Sequence, residues 1–314
     1  MQDVIEVEHL VKKYRTARKN AVDDISFTVK SGEFFTLLGP NGAGKTTTLS
    51  ILNTTLSKTS GSVKVAGFDL ETQASEVRNS IGVIFQNPSL DLNLTAEENI
   101  RFHASLYGVY PFAPAYSFMP KAYKEKVKEL AQVLDLNEKI FDQIKTYSGG
   151  MKRKLEIIRG LIHNPKILFL DEPTTGLDPV SRANLWEYIM KVRKDLKTTI
   201  FLTTHYLEEA ENADQVLIIN HGKIISNGSP THLKKAFVEE YIAIDSADRK
   251  KLVKELTTHK LRYTGEGPFT VHIDKKTVQE VIQLIKVKLT VVRVHTPTLE
   301  EAYLEVIKED QENS

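Results

Sequence analysis

The 314-residue sequence contains no cysteine, which excludes disulfide bonds and cysteine-ligated zinc and suits a reducing cytosol. Charge of one sign is not in excess either: 42 basic and 41 acidic residues leave a net charge of +1, so no global field attracts nucleic acid or a membrane. Long apolar runs are also missing, because Ile167–Leu170 and Val216–Ile219 fall far short of the roughly 18 residues that span a bilayer. Met1–Glu8 carries acids, and we expect no signal peptide there. If the protein works on a membrane, we expect another polypeptide to supply the spanning part.

Three glycines lie within six residues in the stretch that joins an apolar strand to a helix. Phe34–Leu38 predicts a buried strand, and the pattern Gly39-x-x-x-x-Gly44-Lys45-Thr46 follows it directly. Glycines let backbone N–H groups converge on phosphate oxygens, and the next helix adds the positive end of its dipole. In such a loop Lys45 reaches the β- and γ-phosphates, and the Thr46 hydroxyl holds Mg²⁺. A turn without a ligand is the alternative, but the order of the elements predicts a nucleoside triphosphate site.

A pair of acids gives the second strong signal. Ile167–Leu170 predicts a buried parallel strand, and Asp171 and Glu172 stand at its carboxyl end, where α/β sheets bind ligands. Successive strand side chains point in opposite directions, so we expect two different roles. Asp171 suits Mg²⁺ through its water shell, and Glu172 suits a water that attacks the γ-phosphate. The alternative is that both acids only cap the following turn.

Three single side chains give weaker signals. Tyr14 could stack on a nucleotide base or be a half-buried packing residue. Gln86 follows the predicted strand Ser80–Phe85, where a glutamine could ligate a metal or water or belong to an ordinary loop. His205 alone among nine histidines ends a predicted core strand on the expected catalytic edge.

Two helix starts are equally ambiguous. Ser148-Gly149-Gly150 precedes a predicted helix, and backbone N–H groups at such a start can meet an anion, although the pattern is short. Asp178 precedes Pro179, and an N-cap followed by proline is by itself a sufficient structural explanation.

The region from 93 to 147 changes character. A capping box of Thr95 and Glu98 predicts one helix, and apolar spacing predicts a second over Lys121–Leu134. Between them, Tyr110–Pro120 holds three prolines and four aromatic residues, a composition that resists regular structure. This segment is either a packed loop or an exposed apolar contact surface.

The C-terminal part predicts a separate small domain with the order βαββαβ, which is the ferredoxin-like pattern. Its predicted elements are Tyr241–Ile244, Arg249–Thr257, Leu261–Tyr263, Phe269–Ile273, Thr277–Val287 and Leu289–Val294. A last helix begins with a capping box of Thr298 and Glu301, and its apolar stripe packs on its own domain or on a second copy.

Taken together, these motifs resemble those of the ATP-binding subunit of an ABC transporter, over about residues 3–230. The matching positions are Gly39–Thr46 for the Walker A motif, Gln86 for the Q-loop, Ser148-Gly149-Gly150 for the signature, Asp171-Glu172 for the Walker B motif, Gly176–Asp178 for the D-loop, His205 for the switch histidine and Tyr14 for the adenine-stacking residue. The resemblance implies an α/β P-loop NTPase core over residues 1–230, with an antiparallel β subdomain and a helical subdomain at about 87–147. A small α+β domain over 231–314 would follow.

The resemblance also implies a mechanism with ATP and Mg²⁺. Two copies, as a homodimer, would close head to tail around two ATP molecules, with Glu172 as general base and His205 holding the γ-phosphate. The implied ATP contacts are Tyr14, Gly39, Pro40, Asn41, Gly42, Ala43, Gly44, Lys45, Thr46 and Thr47, joined across the dimer by Ser148, Gly149, Gly150 and Asp178. The implied metal ligands are Thr46, Gln86 and Asp171. Closure would drive a separate polytopic membrane subunit, through Gln86 and the helical subdomain, at the cytoplasmic face of the cell membrane.

Two substitutions narrow the resemblance. Tyr147 and Met151 replace the commoner leucine and glutamine around the signature. This form, together with Leu202–Glu211 at the switch and Pro297–Tyr303 in the tail, is similar to the exporter branch, which serves drug, sodium, lipid or polysaccharide efflux. Tyr110–Pro120 is longer than that branch usually carries. An importer ATPase with a regulatory tail is one alternative, and a soluble ABC ATPase acting on ribosomes or nucleic acid is another. The single P-loop and near-neutral charge disfavour the latter, and we expect no nucleic-acid partner.

Overall fold

The computed structural model describes residues 2–86, 89–273 and 276–312. The chain divides into two compact units, Met1–Asn227 and Gly228–Ser314. Each unit has its own hydrophobic core and is described by itself.

The described strands of the first unit form two sheets. They are β1 (Asp3–Lys12), β2 (Val22–Lys30), β3 (Phe34–Leu38), β4 (Ser60–Val65), β5 (Phe68–Asp69), β6 (Ile81–Ile84), β7 (Ile167–Asp171), β8 (Thr199–Thr204), β9 (Gln215–Asn220) and β10 (Lys223–Gly228). The larger sheet has the order β10-β9-β3-β8-β7-β6, and β3, β6, β7, β8 and β9 pair in parallel. The smaller sheet has the order β2-β1-β4-β5 and is antiparallel.

The central strands are buried throughout because both of their faces are covered. Every residue of β3, β7 and β8 is buried, as expected for parallel strands inside an α/β sheet. Phe27, Phe35 and Phe201 stack at centroid distances of 5.1 to 6.3 Å and join the two sheets into one core. The parallel pairing of β3, β6, β7 and β8 places their carboxyl ends at one edge of the sheet.

The helices of the first unit connect these strands. They are α1 (Lys45–Leu52), α2 (Ala74–Ser80), α3 (Ala96–Leu106), α4 (Lys121–Val133), α5 (Gly149–Leu161), α6 (Pro179–Leu196) and α7 (Leu207–Ala210). The predicted capping box is confirmed, since the Thr95 side chain accepts from the Glu98 N–H and the Glu98 carboxylate accepts from the Thr95 N–H. α5 packs against α3, α4 and β6, so the helical layer is fastened to the sheet edge.

The aromatic segment 110–120 combines features of both alternatives that the sequence left open. Ala113 and Met119 are buried, and the Arg101 guanidinium donates to the Ala113 carbonyl at 2.6 Å. Phe112 and Phe118, in contrast, are 61% and 73% exposed. The segment is therefore anchored at Ala113 and Met119, while two of its aromatic rings face outward.

The second unit contains α8 (Pro230–Phe237), β11 (Tyr241–Ser246), α9 (Arg249–Thr258), β12 (Tyr263–Thr264), β13 (Phe269–His272), α10 (Val278–Leu284), β14 (Leu289–His295) and α11 (Leu299–Glu312). Its antiparallel sheet has the order β12-β13-β11-β14. The stripe of α11 packs on α8 of the same unit, and Leu299, Ala302 and Val306 are buried. Of the two alternatives for that stripe, packing on its own domain is confirmed.

Two predicted boundaries in this unit are wrong. The helix predicted over Thr277–Val287 ends at Leu284, because the Glu255 carboxylate accepts the N–H groups of Lys286 and Val287 and holds them out of the helix. The strand predicted over Leu261–Tyr263 begins only at Tyr263, because the Leu261 N–H bonds back to the last turn of α9 at Leu256.

Candidate active site

The P-loop connects β3 to α1, and its glycines are required by close backbone approach. A Cβ at Gly39 would collide with the Ile219 carbonyl oxygen. At Gly44 a Cβ would lie 2.6 Å from the Ala21 carbonyl oxygen, and φ there is +112°, a conformation that side chains rarely adopt. The predicted glycines therefore serve the fold as well as any phosphate contact.

Lys45 is buried and turns back over its own loop. Its Nζ donates to the carbonyl oxygens of Gly39 and Pro40 at 2.8 and 3.1 Å. The same atom lies 3.7 Å from Oε1 of Glu172. Burial lowers the pKa of Lys45, while the Glu172 carboxylate opposes that shift. Two carbonyl oxygens and one carboxylate therefore hold the ammonium group at the loop, where it can bind an anion such as a phosphate group.

Asp171 ends β7 and faces the P-loop helix. The Thr46 hydroxyl donates to its Oδ1 at 3.5 Å, and the Thr203 hydroxyl of β8 donates to the same oxygen. Burial raises the pKa of Asp171, and the hydroxyl of Thr203 opposes the shift. The predicted pair of Thr46 and Asp171 is therefore brought together in the structure.

Glu172 is the meeting point of the other predicted catalytic side chains. Gln86, two residues beyond β6, donates from Nε2 to Oε2 of Glu172 at 3.2 Å. Nδ1 of His205, the residue after β8, lies 3.1 Å from Oε1 of the same carboxylate. Glu172 is only 8% exposed and has φ of +43°, a left-handed conformation that is costly for a residue with a side chain. Such backbone strain persists where the surrounding structure over-determines it, and it is enriched at functional sites.

Tyr14 lies beside the start of α1. Its hydroxyl is 3.4 Å from Oγ1 of Thr47, and its ring is 42% exposed, with the Lys12 ammonium 5.4 Å from the ring centroid. The ring is therefore adjacent to the P-loop and accessible on its outer side.

These side chains border one cavity of about 370 Å³. It is lined by Ala21, Asn41, Gly42, Gly44, Lys45, Thr46, Thr47, Gln86 and Glu172. The signature residues border a different cavity of about 180 Å³, lined by Ser148, Gly150, Met151, Lys154, Leu177, Ser181, Asn184 and Leu185. The two cavities share no lining residue, so the structure does not bring Ser148 to the P-loop of the same chain.

Ser148 and Asp178 both serve as N-caps in the structure. The Ser148 hydroxyl accepts from the Met151 N–H at 3.2 Å at the start of α5. Asp178 accepts from the Val180 and Ser181 N–H groups at the start of α6, and bonding to Ser181 lowers its pKa. Both side chains are exposed, so these caps leave them accessible from outside.

Thr203 is a site residue that sequence reasoning missed. Its hydroxyl is buried between β7 and β8 and bonds to Asp171. The available signal was a second threonine beside Thr204, polar in an otherwise apolar strand that ends at the catalytic edge.

This geometry, a glycine loop with a lysine and two acids at the carboxyl edge of a parallel sheet, defines a P-loop NTPase. A family model described as ABC transporter matches residues 22–175. The doxorubicin resistance ATP-binding protein DrrA of Mycobacterium tuberculosis is 38% identical over 77% of this chain and 70% of its own length. The daunorubicin/doxorubicin resistance ATP-binding protein DrrA of Streptomyces peucetius is 41% identical over 74% of this chain and 67% of its own.

Two solved structures are also similar. The ATP-binding subunit of an ABC transporter superposes with a TM-score of 0.63 at 28% identity, covering 74% of this chain and 93% of that one. A dimeric bacterial ABC transporter cassette has a TM-score of 0.63 at 23% identity, over 72% and 98% of the two chains, and shows the fold alone.

The chain belongs to the ABC transporter family. It is an ATP-binding, ATP-hydrolysing subunit of that family. Its α/β core with an antiparallel β sheet and a helical layer is the ABC ATPase fold, which confirms the predicted fold class. No helix among residues 2–86, 89–273 and 276–312 has the length and apolarity to cross a membrane.

Proposed function

We propose that two copies of this chain close head to tail, so that each P-loop meets Ser148-Gly149-Gly150 of the other copy. The observation that carries this proposal is the separation of the two cavities: Lys45 and Glu172 border one, and Ser148 borders another. A γ-phosphate bound at Lys45 would therefore be contacted by the Ser148-Gly149-Gly150 signature of a second copy. Asp178 faces solvent beside that signature cavity, on the surface that the second copy would cover.

Glu172 serves as the general base in this proposal. Its carboxylate has Gln86 on one oxygen and His205 near the other, and it is buried enough to exclude all but a bound water. His205 stands where it can hold a γ-phosphate oxygen, and Lys45 supplies positive charge to the same phosphate. The left-handed backbone of Glu172 keeps the carboxylate aimed at this point.

The residues present fit a magnesium ion. The Thr46 hydroxyl, the Asp171 carboxylate and the Gln86 side-chain amide supply oxygen donors, the type that Mg²⁺ prefers. Bound there with ATP, the ion would neutralise charge on the phosphates. Tyr14 would stack on the adenine, because its ring is accessible next to Thr47.

The remaining assignments concern assembly. We propose a domain boundary near residue 230, a helical subdomain at about 87–147, and a ferredoxin-like C-terminal domain; the strand order β12-β13-β11-β14 supports the last of these. We propose that ATP hydrolysis powers export through a separate polytopic membrane subunit, which would hold this chain at the cytoplasmic face of the membrane. The names of the two DrrA relatives suggest a drug-like organic cargo.

The test is turnover in the full chain with and without the Glu172 carboxylate. We expect purified protein to hydrolyse ATP only with Mg²⁺, and Glu172→Gln to bind ATP but lose turnover by at least about a hundredfold. Glutamine keeps the size of the side chain and can still accept the hydrogen bond from Gln86, so we expect the variant to fold as the wild type does. A Glu172→Gln protein that hydrolyses ATP at the wild-type rate would contradict the general-base role of Glu172.

A further inference from the structure

A second buried carboxylate lies outside the catalytic set. Glu209, on α7, is 3% exposed and lies four residues beyond His205. Its Oε1 accepts a hydrogen bond from the hydroxyl of Thr174, which lies two residues beyond Glu172. Within the described part of the chain, its Oε2 has no hydrogen-bond partner. Burying a carboxylate is unfavourable unless neighbouring groups stabilise its charge.

The surroundings of Glu209 join three segments of the site. Arg182 and Trp186 from α6 and Thr204 from β8 face the carboxylate and favour its charged form, while burial raises the pKa of Glu209. The Arg182 guanidinium also lies 4.9 Å from the ring centroid of Tyr206. The cluster therefore ties the segment after Glu172 and the helix after Asp178 to the segment that carries His205.

We propose that Glu209 is a positioning residue that fixes the His205 segment against the Glu172 segment through Thr174. Its carboxylate does not line the nucleotide cavity. It acts by holding the two chain segments that follow β7 and β8, so that His205 Nδ1 and Glu172 Oε1 keep their 3.1 Å separation. The inference rests on the proposed roles of Glu172 and His205.

Further hydrogen bonds hold the segment from Glu172 to Thr175 in place. Thr174 is fully buried, and the Thr175 hydroxyl donates to Oε2 of Glu172 at 3.4 Å. The Glu172 N–H donates to the Thr203 carbonyl at 3.0 Å, which ties this segment to β8 as well. Loss of the Thr174–Glu209 bond would remove one of the contacts that hold the segment after Glu172, without removing any contact of the P-loop.

The experiment compares kcat with ATP affinity in full-length variants. Glu209→Met keeps the volume and removes both acceptors; Thr174→Val keeps the shape and removes the donor. We expect each to lower kcat about tenfold, since small misplacements of catalytic groups are costly, with the Kd for ATP unchanged within about twofold. Glu209→Gln and Thr174→Ser, which keep an acceptor or donor, should restore most of the rate. Glu208→Met is the control on the same helix: the Glu208 side chain is 87% exposed and lies 3.8 Å from Arg182, so this change removes a solvent-exposed charge pair and leaves the buried Thr174–Glu209 bond in place.

A double variant decides whether the two residues act as one unit. If they do, Thr174→Val with Glu209→Met has a kcat close to that of the worse single variant. Independent tenfold losses that multiply to about a hundredfold, an unchanged kcat, or a Kd that rises with the loss of kcat would each overturn the proposal. If Glu209→Met fails to fold, Thr174→Val against Thr174→Ser carries the same test. Glu172→Gln measured alongside separates the two proposals: if it is inactive while Glu209→Met is normal, only the positioning role fails.

Discussion

The Glu172 carboxylate lies 3.1 Å from Nδ1 of His205, although the two residues belong to different strand ends. The parallel register of β7 and β8, which pairs Asp171 with Thr203, produces this approach. Glu172 and His205 each come directly after the last residue of their strand, so the two side chains meet at the carboxyl edge of the sheet. The proposed base for water and the proposed ligand of the γ-phosphate therefore lie side by side within one copy of the chain.

His205→Ala should therefore impair turnover more than binding. The imidazole borders Glu172 but is not among the residues that line the nucleotide cavity. We expect kcat to fall about a hundredfold and the Kd for ATP to change less than about threefold. Steady-state ATPase rates and equilibrium nucleotide binding check this. Equal losses in both quantities would contradict a role confined to the reacting phosphate.

Tyr14 should contribute affinity through its ring and not through its hydroxyl. Tyr14→Ala should raise the Kd for ATP about tenfold, in keeping with about 1–3 kcal/mol for aromatic stacking on a base. Tyr14→Phe, which loses only the 3.4 Å contact with Thr47, should bind as the wild type does. Titration of both variants with ATP decides this, and equal weakening in both would assign the effect to the hydroxyl.

His103 should make the first unit sensitive to acid. Burial lowers the pKa of His103 from 6.5 to about 3, with Arg159 adding to the shift. The unfolded chain gains a proton below pH 6.5 that the folded chain refuses until about pH 3, so stability is lost as pH falls through that window. At pH 5 the loss is at most about 2 kcal/mol, from about 1.4 kcal/mol per pH unit.

His103→Phe keeps a ring against Tyr107, whose ring centroid lies 4.5 Å from that of His103, and cannot titrate. Urea unfolding between pH 5 and 8 should therefore show a shallower acid slope in the variant and parallel curves above pH 7.5. Identical slopes across the whole range would show that His103 does not titrate as its burial implies.

The two units should respond separately to a core cavity. Leu256 is fully buried in the C-terminal unit, so Leu256→Ala should cost that unit about 2–5 kcal/mol. Leu304, which is 57% exposed on α11, is the control, and Leu304→Ala should change stability by less than about 0.5 kcal/mol. Calorimetry should show a lower midpoint temperature for one thermal transition only, that of the C-terminal unit. A Kd for ATP that rises with the Leu256 cavity would contradict independent units.

Much of the fold follows from local patterns. Apolar runs such as Phe34–Leu38 and Ile167–Leu170 predict the central strands because a parallel sheet buries both faces. The capping box at Thr95 and the N-cap at Asp178 fix helix starts for local reasons. The elements that went unpredicted, α2, α7 and β5, are short and bury few apolar residues, so they leave no periodic signal.

The site likewise contains residues that local spacing predicts and contacts that depend on tertiary structure. Gly39, Gly44 and Lys45 carry a motif that spacing alone reveals. The tie between Thr203 and Asp171 and that between Thr174 and Glu209 depend on strand register and helix packing, which join residues more than thirty positions apart. The backbone conformation of Glu172 likewise follows from tertiary structure, because no local preference favours a glutamate at φ of +43°.

The central claim is that Ser148 completes the site of another copy. Ser148→Asp tests it, since aspartate still caps α5 but sets a negative charge against a γ-phosphate. In the Glu172→Gln background, we measure molecular mass with ATP and the Kd for ATP, with Ser148→Thr as control. We expect Ser148→Asp to abolish the ATP-dependent dimer and to leave the Kd of the monomer for ATP unchanged. A dimer that still forms, or monomer affinity that falls with the substitution, would contradict it.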